Sequence, residues 1–230
     1  MEALLKINDV NVVGGQVVLE KVYPPEEIGL TNRWASLEGL PTRFVSDYIK
    51  PYMRRVQLRI FGKTKADAIR TRREFVGKLM SDDLVKVQFR HEDTYEMAKM
   101  ESFTTADWQA GATGVEVVFM CPYGVSFGAE KTASIGAITY AGTADTPVIF
   151  TITPSGTNLT VSNGKQSLNL TGLGTGPVVI DTGKRTITQD GVNIRSRLSI
   201  SSRYFGLVPG ANDFSITGGE GTVRWTERWI

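Results

Sequence analysis

Hydrophobic and polar positions alternate with a period of two along much of this chain, which predicts a mainly β protein. From Arg55 to Phe61, Val56, Leu58 and Ile60 fall on one face and Arg55, Gln57 and Arg59 on the other. That is the signature of a half-buried strand. Val85, Val87 and Phe89 repeat the pattern, and Val115 to Cys121 reads as a continuous apolar strand. Asn11-Val12-Val13 and Gln16-Val17-Val18 flank Gly14-Gly15, a hairpin signal. The period changes once, between Thr64 and Met80. There Ala68, Ile69, Phe75, Val76, Leu79 and Met80 recur at helical spacing, so one face seeks a core. Thr64 is placed to cap this helix, with Asp67 at the capping-box position.

Beyond Val125 no helical period recurs. Val148 to Thr153 is β-rich, and Asn163-Gly164 separates Leu159-Thr160-Val161 from Leu168-Asn169-Leu170. That dipeptide predicts a type I′ hairpin turn with two positive-φ residues. Val178 to Asp181, Arg185 to Thr188 and Val192 to Ile194 follow, separated by a turn at Gly183 and by Asp190-Gly191. Pro209-Gly210 interrupts the chain before Phe214-Ser215-Ile216. The last stretch alternates, with Val223, Trp225 and Trp229 on one face, as a core-closing strand would. Short strands at this spacing predict an antiparallel sandwich. The whole plan is strands, one main α-helix laid against a sheet or sandwich, and then a second all-β sandwich.

Composition sharpens the division. Residues 1–125 hold 17 bases, 17 acids and 9 of the 24 glycines; residues 126–230 hold 9 bases, 7 acids and the other 15 glycines. We therefore expect a domain boundary there, marked by Cys121-Pro122-Tyr123-Gly124. The formal charge of +2 gives no general bias toward nucleic acid or an acidic membrane. No apolar run approaches the roughly 20 residues of a membrane helix, and Glu2 stands where a secretory signal would carry bases. Synthesis in a cytoplasm is the expectation.

Candidate chemistry is sparse. Cys121 is the sole cysteine and His91 the sole histidine, which excludes disulfides within the chain and Cys/His zinc clusters. No G-x-S-x-G elbow precedes a helix. Asp82-Asp83 and Glu92-Asp93 are paired carboxylates, but adjacent acids point to opposite faces of a strand or stay solvated on loops. Gly172-Leu173-Gly174-Thr175-Gly176 leads into a strand, not a helix, so it reads as a flexible turn and not a phosphate cradle. No catalytic residue, metal ligand or cofactor is expected. The sharpest charge feature runs from Lys50 to Lys78, ten bases against Asp67 and Glu74, followed by a cluster of acids from Asp82 to Glu101. No aromatic ladder interleaves those bases, so a subunit contact or solvated face is expected in preference to a phosphate track.

The second half carries a more specific likeness. Val179-Ile180-Asp181, Arg185-Thr186-Ile187-Thr188, Asp190-Gly191, Val192-Asn193 and Tyr204-Phe205-Gly206-Leu207-Val208-Pro209-Gly210-Ala211-Asn212-Asp213-Phe214 follow in order. This series resembles the C-terminal domain of siphophage distal tail proteins. The Cys121 to Gly124 junction resembles that family's domain hinge, and Val223 to Trp229 its closing strand. The resemblance implies a belt domain over residues 1–125 that forms a hexameric ring, and a galectin-like β-sandwich over residues 126–230. It implies a non-enzymatic hub in the virion, at the tail tip, assembled in the bacterial cytoplasm. Its partners would be further copies of the chain, the tail tube protein, and a tail-associated lysin, tail fibre or baseplate receptor-binding protein. The genome would be the only nucleic acid met, passing through the lumen, and no membrane would be involved. On that plan Arg70, Arg72 and Arg73 face a neighbouring subunit, and Arg55 and Arg59 are the residues expected to face the lumen. The alternative is a carbohydrate-binding module for attachment to a host surface. The second half has no histidine, so no galectin sugar motif can be assembled there and no sugar-binding residue is assigned.

Overall fold

A strand of alternating residues buries one face, and here the parity of the sequence sets which one. A computed structural model of the chain describes residues 5–25, 30–35, 43–89 and 92–230. The chain divides into two compact units, Met1–Phe127 with Ile230, and Gly128–Trp229.

In the first unit the strands are β1 (Leu5–Ile7), β2 (Val10–Asn11), β3 (Val17–Val22), β4 (Leu30–Ala35), β5 (Arg43–Ile49), β6 (Tyr52–Phe61), β7 (Val85–Phe89), β8 (Glu96–Thr105) and β9 (Ala112–Cys121), with helix α1 (Lys65–Leu79) between β6 and β7. β4 and β5 pair with each other, and the rest form a seven-stranded sheet in the order β2-β1-β7-β8-β9-β6-β3. β8 pairs with β7 through Glu96 to Ala98 and with β9 through Lys99 to Thr105, shifting register past Met100. β2 and β3 lie at opposite ends of that sheet although only residues 12–16 join them, so the sheet must curl until its ends approach. Gly14 and Val17 exchange two backbone hydrogen bonds at the join. The Gly14-Gly15 turn therefore exists, but its arms part to different neighbours and form no hairpin ladder.

The core of this unit contains Leu5, Val56, Leu58, Ile60, Phe75, Val87, Phe89, Val117 and Phe119. Each such side chain contributes about 1.5–3 kcal/mol by leaving water. Phe89 and Phe119 meet edge to face, ring centroids 5.9 Å apart. Helix α1 begins where expected: the Thr64 hydroxyl accepts the Asp67 N–H at 3.1 Å, satisfying a donor with no partner inside the helix. Ala68, Phe75 and Leu79 are buried, but Met80 is 68% exposed, because it lies one residue past the helix in extended backbone. The stretch from Val115 to Cys121 also departs from expectation. Val115, Val117, Phe119 and Cys121 are buried while Glu116, Val118 and Met120 are only half-buried, so the run is one-faced.

In the second unit the strands are β10 (Ser126–Ser134, beginning in the first unit), β11 (Ala137–Tyr140), β12 (Val148–Pro154), β13 (Leu159–Ser162), β14 (Ser167–Leu170), β15 (Val178–Asp181), β16 (Thr186–Gln189), β17 (Val192–Asn193), β18 (Gly210–Asp213), β19 (Ser215–Thr217) and β20 (Gly219–Trp229). They make a six-stranded sheet β10-β20-β12-β15-β16-β17, a three-stranded sheet β14-β13-β19 and the pair β11-β18. One core gathers residues from all three, including Phe150, Ile180 and Val223, Val161 and Leu168, and Ile138 and Tyr140. That is an antiparallel sandwich. Mainly β with one α-helix is the fold class observed among the described residues.

The two asparagine/aspartate–glycine turns behave differently. Asp190 and Gly191 have φ of 50° and 78° and link Gln189 directly to Val192, a two-residue hairpin with both corners left-handed. At Asn163-Gly164 only Gly164 is left-handed. The loop is four residues long, and the Asn163 side-chain oxygen accepts the Lys165 and Gln166 N–H groups at 3.1 and 2.7 Å. The type I′ expectation thus fails there, because the asparagine side chain organises a longer loop instead.

Candidate functional site

The base-rich stretch from Lys50 to Lys78 folds into β6 and α1, and strand parity separates its arginines. Arg55 and Arg59 project from the outer face of β6, as the alternation predicts. Arg55 lies 3.6 Å from Glu116 and Arg59 lies 2.8 Å from Glu20. Arg55 also stands 6.0 Å from the Tyr23 ring centre, and Lys21 lies 4.2 Å from the same ring. This outer face is a mixed, mutually neutralised surface whose arginines remain 39% and 51% exposed.

On α1 the three arginines do not act alike. Arg70 is bound within its own helix, 2.6 Å from Asp67. Asp67 also accepts from the Gln16 amide at 2.9 Å and from the Lys63 N–H. Those bonds, the Gln16 one foremost, hold its carboxyl below the usual range. Arg72 and Arg73 instead line a shallow groove of about 470 Å³ with Val76, Gly77, Met80, Phe103 and Thr105. Phe103 forms one wall because its ring packs 6.5 Å from Phe75 on the buried face of α1. The structure therefore brings Arg72 and Arg73 together beside exposed apolar surface and places Arg70 in a local ion pair.

Sequence reasoning passed over the most unusual chemistry of the first unit. Arg54 shares parity with Val56, Leu58 and Ile60, so it points into the core and is 5% exposed. It contacts Glu92 at 2.5 Å, lies 3.8 Å from Glu96, and stacks 4.5 Å over the Phe89 ring. Glu96 shares parity with Ala98 on β8 and is fully buried. Tyr52 and Ser126 both donate to its Oε1 at 3.3 Å, and its Oε2 has no hydrogen-bond partner among the described residues. Burial pushes the Glu96 carboxyl up to about 7, with Arg54 opposing and Glu92 reinforcing that rise. Burial likewise drives the Tyr52 hydroxyl well above its ordinary range and the Cys121 thiol up to about 12, the nearby Glu96 adding to both. The signal was present in the sequence: a charged residue on the apolar parity of a strand.

The other candidates are dispersed. Asp82 and Asp83 are exposed, and Glu92 serves Arg54 while Asp93 is exposed. His91 lies outside the described residues. Gly172 to Gly176 forms a turn whose Gly174 and Gly176 carbonyls accept from the Gln189 amide at 2.9 Å each. Among the described residues no three His, Cys, Asp or Glu side chains converge as metal ligands, and no helix is long and apolar enough to cross a membrane.

Comparison with known proteins bears on the second unit first. Residues 141–229 match the family described as siphovirus-type tail component, C-terminal domain. The resemblance to siphophage distal tail proteins holds. A likeness of fold runs over the whole chain. The crystal structure of phage SPP1 Dit (gp 19.1), a protein described as a paradigm of the hub adsorption apparatus in phages infecting Gram-positive hosts, superposes with a TM-score of 0.83 at 18% identity, covering 100% of both chains. Two activated baseplate structures follow. The phage P2 baseplate with Ca matches at TM-score 0.50 and 11% identity, over 96% of this chain and 93% of that one. The phage p2 baseplate with Sr matches at TM-score 0.51 and 12% identity, over 95% and 92%. At these identities the likeness establishes the fold. A search of curated protein sequences gives no match.

Proposed function

We propose that this chain is a structural hub subunit at the distal end of a siphophage tail. The observation that carries the reading is the end-to-end correspondence with the SPP1 Dit fold at TM-score 0.83, joined to the tail-component match over residues 141–229. On this reading residues 1–125 are the belt that closes a hexameric ring, and residues 126–230 are a galectin-like sandwich. The ring joins the tail tube to the tail tip or baseplate proteins that engage the host, including a tail-associated lysin or receptor-binding protein. The protein works in the virion after assembly in the bacterial cytoplasm, and its task is contact and geometry, without catalysis.

The surfaces described above suit such a role. Head-to-tail contacts close into a ring when the rotation between neighbours fits. Arg72 and Arg73, beside Met80 and Phe103, offer the mixed charged and apolar character of an interface. Arg70 flanks them on the same helix. Arg55 and Arg59 are assigned to the lumen. Their ion pairs with Glu116 and Glu20 temper the positive charge, which suits a channel that must let phosphates pass.

Light scattering over a concentration series tests the reading. The expected mass is six times the 25.2 kDa of one chain. A monomer persisting at tens of micromolar, both alone and with tail tube protein added, overturns the ring.

A further inference from the structure

Ser126 and Phe127 are the root of β10, the strand that carries the chain out of the first unit. Two layers of contact hold that root. Tyr95 and Phe127 exchange backbone hydrogen bonds at 2.8 and 2.7 Å. Their rings stack with centroids 5.6 Å apart, and Tyr123 meets Phe127 edge-on at 5.8 Å. Beside this clasp Ser126 donates to the buried Glu96 and lies 3.4 Å from the Tyr52 hydroxyl. The preceding turn is fixed too: Gly124 has φ of 66°, and a side chain there would fall on the Lys50 carbonyl.

We propose that Glu96 is a proton-operated latch on the root of β10: neutral, it lets Ser126 and Phe127 stay clasped to the first unit, and ionised, it favours their release to water. The geometry carries this. A fully buried carboxylate needs several strong donors, whereas Glu96 receives two long hydrogen bonds on one oxygen and none on the other. Arg54 is 3.8 Å from it and is committed to Glu92. A neutral acid at this site leaves no buried charge, and its unpaired oxygen then costs only what an uncharged polar group does. Ser126 is one of its two donors, so opening the β10 root is a direct way to admit water to the charge.

The surroundings define what else could respond. Tyr52 and Arg54 face Glu96 from β6, Glu92 from the segment before β8, Cys121 from β9 and Ser126 from β10. On β7, Lys86 lies over the Tyr95 ring at 4.5 Å. Tyr52 and Cys121 are both shifted upward, which keeps them protonated and uncharged across this range. Arg90 and His91 lie outside the described residues, and His91 needs a control because an ordinary histidine titrates near 6.5.

Amide hydrogen exchange on the full-length chain reads the latch at the Phe127 and Tyr95 N–H groups. Glu96 has a carboxyl held near 7 when clasped, and once opened it returns to an ordinary value, so opening grows as pH rises from about 4.5 to 7 and levels off above. Protection at these two amides, corrected for intrinsic exchange, should fall roughly tenfold or more between pH 5 and pH 7.5. Glu96→Gln should abolish the pH dependence, and Ser126→Ala, which removes a donor to the ionised form, should move its midpoint upward. His91→Gln should leave it in place. Protection that is constant with pH in the wild type, or a dependence that survives Glu96→Gln or vanishes in His91→Gln, overturns the proposal. If Glu96→Gln does not fold, the Ser126→Ala midpoint decides alone: an unmoved midpoint overturns the latch.

Discussion

Inside the first unit the polar groups buried most deeply in the core are ionisable, with Arg54 at 5% exposure and Glu96 at 0%. Inside the second they are mostly neutral and tied to backbone. Thr182 donates to the Val148 carbonyl at 3.0 Å and accepts its N–H at 2.9 Å. Thr146 donates to the Thr226 carbonyl at 2.8 Å. The Gln189 amide donates to the Gly174 and Gly176 carbonyls and accepts from the Gly174 N–H and Arg197. The charged exception, Glu227, meets the half-exposed Lys131 at 2.6 Å. A neutral, saturated network fixes loops and is indifferent to pH. A buried acid short of donors makes the stability of its unit depend on pH. The two units therefore share a strand-rich plan and differ in what their cores respond to.

The strongest way to break this comparison is to test whether the cores are energetically separate. Phe119→Ala removes a fully buried ring from the first core, and Phe150→Ala removes one that packs against Phe205 and Phe214 in the second. Each should destabilise its own unit by about 3–5 kcal/mol. Scanning calorimetry should show two transitions, with each variant lowering one. A single transition moved equally by both variants would mean one cooperative core.

The pH response is next in size. Glu96 has its folded carboxyl raised to about 7, so the folded first unit binds a proton more tightly than the unfolded chain does. The stability that Glu96 contributes is greatest at acid pH and declines as pH rises from about 4.5 to 7, by on the order of 3 kcal/mol. Urea unfolding followed at several pH values should show that decline in the first unit, its absence in Glu96→Gln, and little change in the second unit over the same window. Gln189→Ala sharpens the contrast from the other side. It should cost the second unit about 1–3 kcal/mol, equally at pH 5 and pH 7.5, by stranding the carbonyls of Gly174 and Gly176.

The same contrast explains what the sequence made legible. Alternation located β6, β7 and the strands of the second sandwich, and the helical period with its Thr64 cap located α1. These features arise from neighbours in sequence. Thr64→Ala, which removes only that cap, should cost about 1 kcal/mol, visible as a small shift in the first transition alone. Pairing between distant strands is not legible in sequence, so the Gly14-Gly15 turn carries a hairpin signal although its arms go to opposite ends of the sheet. The Glu96 cluster was hidden for the same reason, since Tyr52, Arg54, Glu92, Glu96 and Ser126 come from four separate segments. Parity alone placed Arg54 and Glu96 on buried faces; only the fold placed them against each other.

The smallest expected effect on stability is the most informative about assembly. Arg70, Arg72 and Arg73 contribute little to the fold. Arg70 is 72% side-chain exposed in its pair with Asp67, and exposed ion pairs of this kind are weak. Arg72 and Arg73 border an open groove. Replacing all three by Ala should leave both calorimetric transitions within error of the wild type. If α1 presents them to a neighbouring subunit, the same triple variant should nevertheless shift the scattering mass toward the monomer, because truncated interface arginines leave the facing groups unpaired. A matched triple in the second unit, Lys165, Lys184 and Arg195 to Ala, removes as many exposed bases from that sandwich and should leave the mass unchanged. Equal loss of assembly in both triples would point to overall charge, not to the α1 groove. An unchanged mass in the first triple, with a salt-sensitive DNA affinity lost relative to the wild type, would turn the bases of α1 into a phosphate-binding surface and remove them from the interface.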